Sequence, residues 1–179
     1  MEKADGGDDC RKNVTARLSN GPQLAVFNGH GSEDEVCGHK DEVVIDSSNA
    51  GLLQGTVSFI RACGCLNGIG RSAVKKGAKA VVGYRGDFWI PRVNEFAATP
   101  LRDPSAKPVL EASNAVAYRL LKGARVKDAV EASKARANNA IRQMLTRVEP
   151  YDSPALRALV NNNLLIDFEG DQNAVASIG

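Results

Sequence analysis

Histidine is scarce in this chain: among 179 residues there are only two, His30 and His39, and both fall in the single stretch "VFNGHGSEDEVCGHK", Val26 to Lys40. Charge of one sign is also lacking. A formal net charge of +2, with no basic run and no basic-aromatic stripe, leaves nothing to neutralise a row of phosphates, so nucleic acid is not expected as a partner. No apolar stretch approaches the ~20 residues that a membrane crossing requires, and no membrane partner is expected. The opening "MEKADGGDDC" is acidic where a signal peptide would be basic and then apolar, which points to a cytoplasmic protein. Cysteine is sparse too. Cys10, Cys37, Cys63 and Cys65 are too few for a disulfide framework in a chain of this size, and read instead as free thiols, ligands or nucleophiles. Internal repeats and low-complexity segments are absent. What remains is ordinary for a globular protein, 43% hydrophobic and 25% charged residues, enough for one domain over residues 1–179 with a single sizeable core.

The organisation can be followed along the chain. Residues 1–20 begin rich in Gly and Asp and read as fraying, although "RKNVTARLSNGP" suits a short helix ended by Asn-Gly-Pro. "QLAVF" is an apolar run bounded by Pro22 and Asn28-Gly29, a buried strand with His30 just beyond its end. A polar loop leads to "DEVVIDS", a short hairpin strand, and "NAGLLQG", a turn or short helix. "TVSFIRAC" is β-branched and aromatic, hence a strand; glycine-spaced "GCLNGIG", a short helix "RSAVKKGA" and the strand "KAVVGY" follow. Strand, helix and strand at this spacing describe a βαβ unit and a parallel sheet covered by helices. Pro91, Pro100, Pro104 and Pro108 mark a long irregular crossing. Beyond it Val109, Ala112, Val116 and Leu120, then Val126, Val130, Ala137, Ile141 and Met144, recur at helical spacing on either side of Lys122-Gly123. "NNNLLIDFEGD" reads as a last strand.

In open parallel sheets functional groups gather outside the carboxyl ends of strands. Two such ends carry chemistry here: His30-Gly31 after "QLAVF", and Cys63-Gly-Cys65 after "VSFIRA". A thiol with an ordinary pKa of about 8.5 is mostly protonated at neutral pH, and an imidazole beside it can act as its base and later protonate a leaving amine. Glycine after the reactive residue lets a backbone N–H approach a developing oxyanion.

These blocks, "FNGHGS" and "GCLNG", together with "KKGAKAVVGY" and "NLLIDFEGD" as the following strands, resemble the caspase-like (clan CD) cysteine peptidases: caspases, gingipains, clostripain, legumain, separase and the CHAT domains. The resemblance runs from Gln23 to Asp171, with only the His-Gly and Cys blocks specific. It implies an α/β fold, a three-layer α/β/α sandwich with a mostly parallel sheet. It also implies a cysteine endopeptidase, a hydrolase acting on protein or peptide substrates through an acyl-enzyme, with no cofactor and no metal needed. Carried over by residue, His30 is the catalytic histidine and Gly31 lends its N–H to the oxyanion hole. Cys65, followed by Leu66-Asn67-Gly68, matches the Cys-x-Ser/Thr/Asn-Gly pattern and is the first choice of nucleophile; Cys63, preceded by Ala62, matches the strand-Ala-Cys pattern and is the second. Asp87 in "GYRGDFW" lies where relatives that cut after Arg or Lys hold an acid, and Trp89 beside it is a candidate lining of the substrate cleft. Family domains usually place two strands before the His-bearing one, whereas only residues 1–22 precede "QLAVF" here; a smaller sheet, or a second chain or fragment completing it, is implied. The alternative of another class is a caspase-like or CHAT-like interaction module without activity.

Two further readings compete. Cys37-Gly-His39 with Cys63-Gly-Cys65 could supply zinc ligands, at a tighter spacing than structural zinc sites use. Gly68-Ile-Gly70-Arg-Ser-Ala73 satisfies G-x-G-x-x-A before a helix, with Asp87 as the ribose acid, although Arg61, Asn67 and two cysteines intervene where a dinucleotide fold needs a tight turn. His39 is expected to be a solvated loop residue.

Overall fold

The computed structural model describes residues 10–99, 102–146 and 153–176. Its centre is a four-stranded sheet of order β1-β4-β5-β6, built from β1 (Leu24–Asn28), β4 (Val57–Arg61), β5 (Ala80–Tyr84) and β6 (Ile166–Gly170). β1, β4 and β5 are parallel, in the register Leu24 to Val57 and Val57 to Ala80, while β6 is antiparallel to β5 with Ala80 opposite Gly170. A small hairpin, β2 (Glu35–Cys37) and β3 (Val43–Asp46), stands apart from this sheet. β2 lies in what the sequence presents as polar loop; Val36, paired with Ile45, is the apolar residue that anchors it.

The alternation of side chains along each strand separates two cores. Ile60, Ala25 and Val81 face one side, where α1 (Cys10–Ser19), the hairpin, Leu53, Leu66 and Ile69, and α2 (Arg71–Lys75) cover the sheet. Val57, Phe59, Val82 and Tyr84 face the other, against α3 (Ala106–Leu121) and α4 (Val126–Thr146) through Val116, Leu120, Ala129 and Val130. α5 (Pro154–Leu165) closes a third cluster with α3 and α4 around Val109, Ala137 and Leu159. The chain is thus a mixed α/β fold with a mostly parallel sheet and helices on both faces. Each fully buried Phe, Ile or Leu in these cores contributes roughly 1.5–3 kcal/mol. No helix among the described residues is long and apolar enough to cross a membrane.

α1 is fastened at its start, where the Glu42 carboxylate accepts the N–H groups of Cys10 and Arg11 at 2.9 Å each and Arg11 reaches Asp46 at 2.7 Å. α3 starts two residues before Pro108, so that proline sits in the first turn, where its missing N–H removes no helical bond. The larger departure from the sequence reading concerns "NNNLL". It is the end of α5, and strand structure begins only at Ile166. Asparagine's weak helix propensity is overridden here because Asn161 and Asn162 spend their side-chain amides on the loop after β5. The start signal of α5 is Ser153 followed by Pro154 at the first helical position.

Candidate functional site

The site is assembled at the carboxyl ends of β1, β4 and β5. The β1–β4 ladder continues one step beyond the strands, as Gly29 N–H donates to Arg61 C=O at 3.3 Å. The chain then bends at His30–Gly31 and runs antiparallel to β2: Cys37 N–H donates to His30 C=O and Ser32 N–H to Glu35 C=O, both at 2.9 Å. This close passage is why His30 lies between glycines. A Cβ on Gly29 would stand 2.1 Å from the Cys37 carbonyl oxygen, and one on Gly31 would stand 2.6 Å from that of Glu35. On its other side Gly31 abuts the residue before Cys63, since the same Cβ would lie 3.0 Å from the Ala62 Cβ. His30 is therefore brought to the neighbouring strand end, exposed, with an imidazole that makes no hydrogen bond among the described residues.

The pairing geometry also frees a donor. Gly31 and Val36 face each other without exchanging bonds, which turns the Gly31 N–H away from the hairpin. Among the described residues neither the Gly31 N–H nor the Cys63 N–H donates a hydrogen bond.

The two cysteines differ in environment. Cys65 has no exposed surface; its Sγ lies 3.4 Å from the Ile60 carbonyl oxygen and packs against Gly83, where a Cβ would meet it at 2.5 Å. Burial pushes this thiol up to about 11. It is a packing residue inside the core that Leu66 and Ile69 share, and no substrate carbonyl can reach it. Cys63 is half-buried at the bend that follows β4. The order of preference from the sequence, Cys65 before Cys63, is therefore reversed by burial.

Asp87 and Trp89 lie on the loop after β5, and Gly64 N–H donates to Gly86 C=O at 2.9 Å, so this loop adjoins the cysteine bend. Asp87 is exposed, and its carboxylate has no hydrogen-bond partner among the described residues. Trp89 is 49% exposed, while its backbone is clamped in both directions by the Asn162 side chain, at 2.9 and 2.7 Å.

The contacts of three further residues escaped the sequence reading. Asn67 donates to Glu33 Oε1 at 2.9 Å and to the Arg85 carbonyl at 3.0 Å, tying all three loops together. Glu33 in turn accepts Ile69 N–H at 2.7 Å through its carbonyl. Arg61 projects beneath the site to Asn114 at 2.9 Å and the Phe88 ring at 5.9 Å.

The competing readings fare poorly against this geometry. Gly68 and Gly70 belong to a π turn, Leu66–Gly70, that runs into α2; Ile69 and Gly70 already spend their N–H groups on Glu33 and Cys65, and a Gly68 Cβ would stand 2.1 Å from the Glu33 carbonyl oxygen. The glycines serve close packing against the His30 loop, and no cradle for a pyrophosphate is formed. Cys65 points into the core, away from any shared site with His39, which is exposed on the turn His39–Asp41; among the described residues no three His, Cys, Asp or Glu side chains converge as metal ligands. Comparison with known proteins returns no match, whether by family profile, by the sequences of characterised proteins or by solved structures.

Proposed function

We propose that this chain is a cysteine endopeptidase of the caspase-like kind, with Cys63 as nucleophile and His30 as its base. The carrying observation is the junction of the two strand ends: Gly29 bonded to Arg61 and Gly31 against Ala62 bring the loop of the exposed His30 against the bend that carries the half-buried Cys63. The unengaged N–H groups of Gly31 and Cys63 supply the second requirement, donors for a developing oxyanion.

In the reaction Cys63 Sγ attacks the scissile carbonyl carbon while His30 takes the thiol proton, and the carbonyl oxygen gains negative charge toward the two N–H groups. Collapse breaks the C–N bond as His30 returns the proton to the leaving amine. Water, deprotonated by His30, then attacks the thioester and releases the acid product with the thiol restored. A positioned general base contributes on the order of 10²–10⁴-fold in rate.

The test is the rate of iodoacetamide labelling at pH 6, mapped residue by residue in the native protein and in His30→Ala. Cys63 is expected to label at least tenfold faster than Cys10, Cys37 and Cys65, and His30→Ala to remove that advantage. Four slow and similar rates would defeat the dyad and favour the interaction module, a caspase-like or CHAT-like domain without activity.

A further inference from the structure

The two edges of the sheet are finished differently. At β6 the charged residues Asp167 and Glu169 pair with Arg85, at 2.7 and 2.9 Å, and the same guanidinium donates to the Phe168 C=O at 3.4 Å. Charged side chains and an occupied carbonyl are a common protection of an edge strand against a further strand. β1 has neither. Leu24, Ala25, Val26, Phe27 and Asn28 bring no charge and no proline, and their register with β4 runs without a bulge.

Two bonds show which backbone groups β1 spends on β4. Val57 N–H donates to Gln23 C=O at 3.0 Å and Gly29 N–H to Arg61 C=O at 3.3 Å, so Gln23, Ala25, Phe27 and Gly29 point inward along the parallel ladder. The N–H and C=O groups of Leu24, Val26 and Asn28 then point out of the sheet, and among the described residues nothing bonds to them. The side chains at this edge are apolar and open to water. Val26 is 38% exposed; Ala117 of α3 packs in one cluster with Leu24, and Leu121, one turn further along α3, is 40% exposed.

We infer that a second copy of this chain adds its β1 antiparallel to this one, joining the two sheets across a two-fold axis at Val26. An extended backbone is the partner that offers donors and acceptors repeating every second residue, about 6.8 Å apart. The outward residues are symmetric about Val26, so Leu24 meets the partner's Asn28 while Val26 meets its own counterpart, and the edge is complementary to itself. Charge selects the direction. At the amino end of β1 Lys79 donates to Gln23 Oε1 at 3.0 Å, and it pairs with no acid among the described residues. Beyond the carboxyl end Glu33 and Asp34 are exposed and pair with no cation among the described residues. Antiparallel addition sets each amino end beside the other copy's carboxyl end and brings Lys79 toward that acidic loop, whereas parallel addition sets like against like. The pairing does not depend on the peptidase reading.

Sedimentation equilibrium of the native protein and four variants tests the pairing. The native chain is expected to dimerise reversibly in the micromolar range. Val26→Lys, which sets two like charges opposite each other at the axis, should weaken the dimer at least about tenfold with the far-ultraviolet circular dichroism unchanged. Lys79→Glu and Asp34→Lys should each weaken it, and the two combined should restore it, a recovery that misfolding cannot produce. Hydrogen exchange gives a second readout: the Val26 amide should slow as protein concentration rises, while the Ala25 amide, already bonded to β4, should not change. A native protein that stays monomeric at millimolar concentration would overturn the inference. So would a dimer indifferent to Val26→Lys, which would lie on another surface, or a failure of the double exchange to restore what each single exchange removes.

Discussion

Cys63 and Cys65 stand two residues apart in environments that give them opposite fates. The bend at Ala62–Cys63 leaves the first thiol half-buried and packs the second, fully buried, against Gly83 of β5. Either cysteine satisfies a local pattern in the sequence, and no spacing rule can rank them, because the ranking depends on a reversal of direction that is visible only once β5 is in place. What was legible is the position of His30 and Gly31, just past the end of β1, because a glycine-flanked histidine behind an apolar run marks the point where the strand stops. The contacts of Arg61 with Asn114 and the Phe88 ring were illegible, since a charged residue at the end of a strand reads equally well as solvated. The packing of Cys65 is open to a direct test. Gly83→Ala places a methyl into the sulfur and should destabilise the fold by about 1–3 kcal/mol, the range for overpacked cores. Truncating the sulfur in Cys65→Ala should recover part of that loss, so the double variant should unfold in urea at a free energy at least about 0.5 kcal/mol above the additive expectation. Strict additivity would mean that Gly83 answers to the Ile60 carbonyl alone.

The limits of the strands were read correctly where each is short, apolar and bounded by glycine or proline: β1, β4 and β5 lie within a residue or two of their expected ends, although β1, read as buried, is an edge strand with Val26 exposed. β6 and α5 were not separable, because "NNNLLIDFEGD" has the apolar density of a strand while its asparagines are engaged by the loop after β5. Helix propensity is a weak prior that such tertiary bonds override. The same dependence on distant partners governs the π turn after Cys63. Its Asn67 and Gly68 press on Glu33, three residues beyond His30, so the position of the histidine loop depends on a glycine in another element. Gly68→Ala would drive a methyl into the Glu33 backbone and must displace one loop or the other. Its predicted signature is a fall of tenfold or more in Cys63 labelling at pH 6, with the far-ultraviolet circular dichroism of the helices retained. Asn67→Ala, which loses two hydrogen bonds but creates no clash, should give a smaller fall. Equal labelling in Gly68→Ala and the native protein would show that the two loops are not mechanically coupled.

At the scale of the whole molecule, the buried and paired ionisable groups lie on both sides of neutrality and set a window of stability. Asp103 is buried at the head of α3, where its carboxylate accepts N–H bonds from Val93, Ser105 and Ala106, and these bonds hold its pKa below the ordinary value. Asp46 beside Arg11, and Asp128 beside Arg125, are lowered in the same direction. A carboxylate with a depressed folded pKa contributes stability above its unfolded value, about 3.9 for Asp, and that stability is lost as pH falls below it. On the alkaline side burial raises Cys65 to about 11 and Tyr84, bonded to Ser113, to about 12. For these acids the neutral form is favoured by folding, so their contribution is complete below the unfolded values of about 8.5 and 10 and disappears as pH climbs through the folded ones. The free energy of urea unfolding should therefore be flat from about pH 5 to 8.5 and fall at both ends. Asp103→Asn, which keeps the shape but removes the titration, should lower the plateau and flatten the acid limb, because the long crossing from Pro91 to Ser105 loses its charged anchor; Cys65→Ala should flatten the alkaline limb only. Should the acid limb keep its slope in Asp103→Asn, the acid lability would belong instead to the Arg11–Asp46 fastening of α1, and Asp46→Asn would be the variant that removes it.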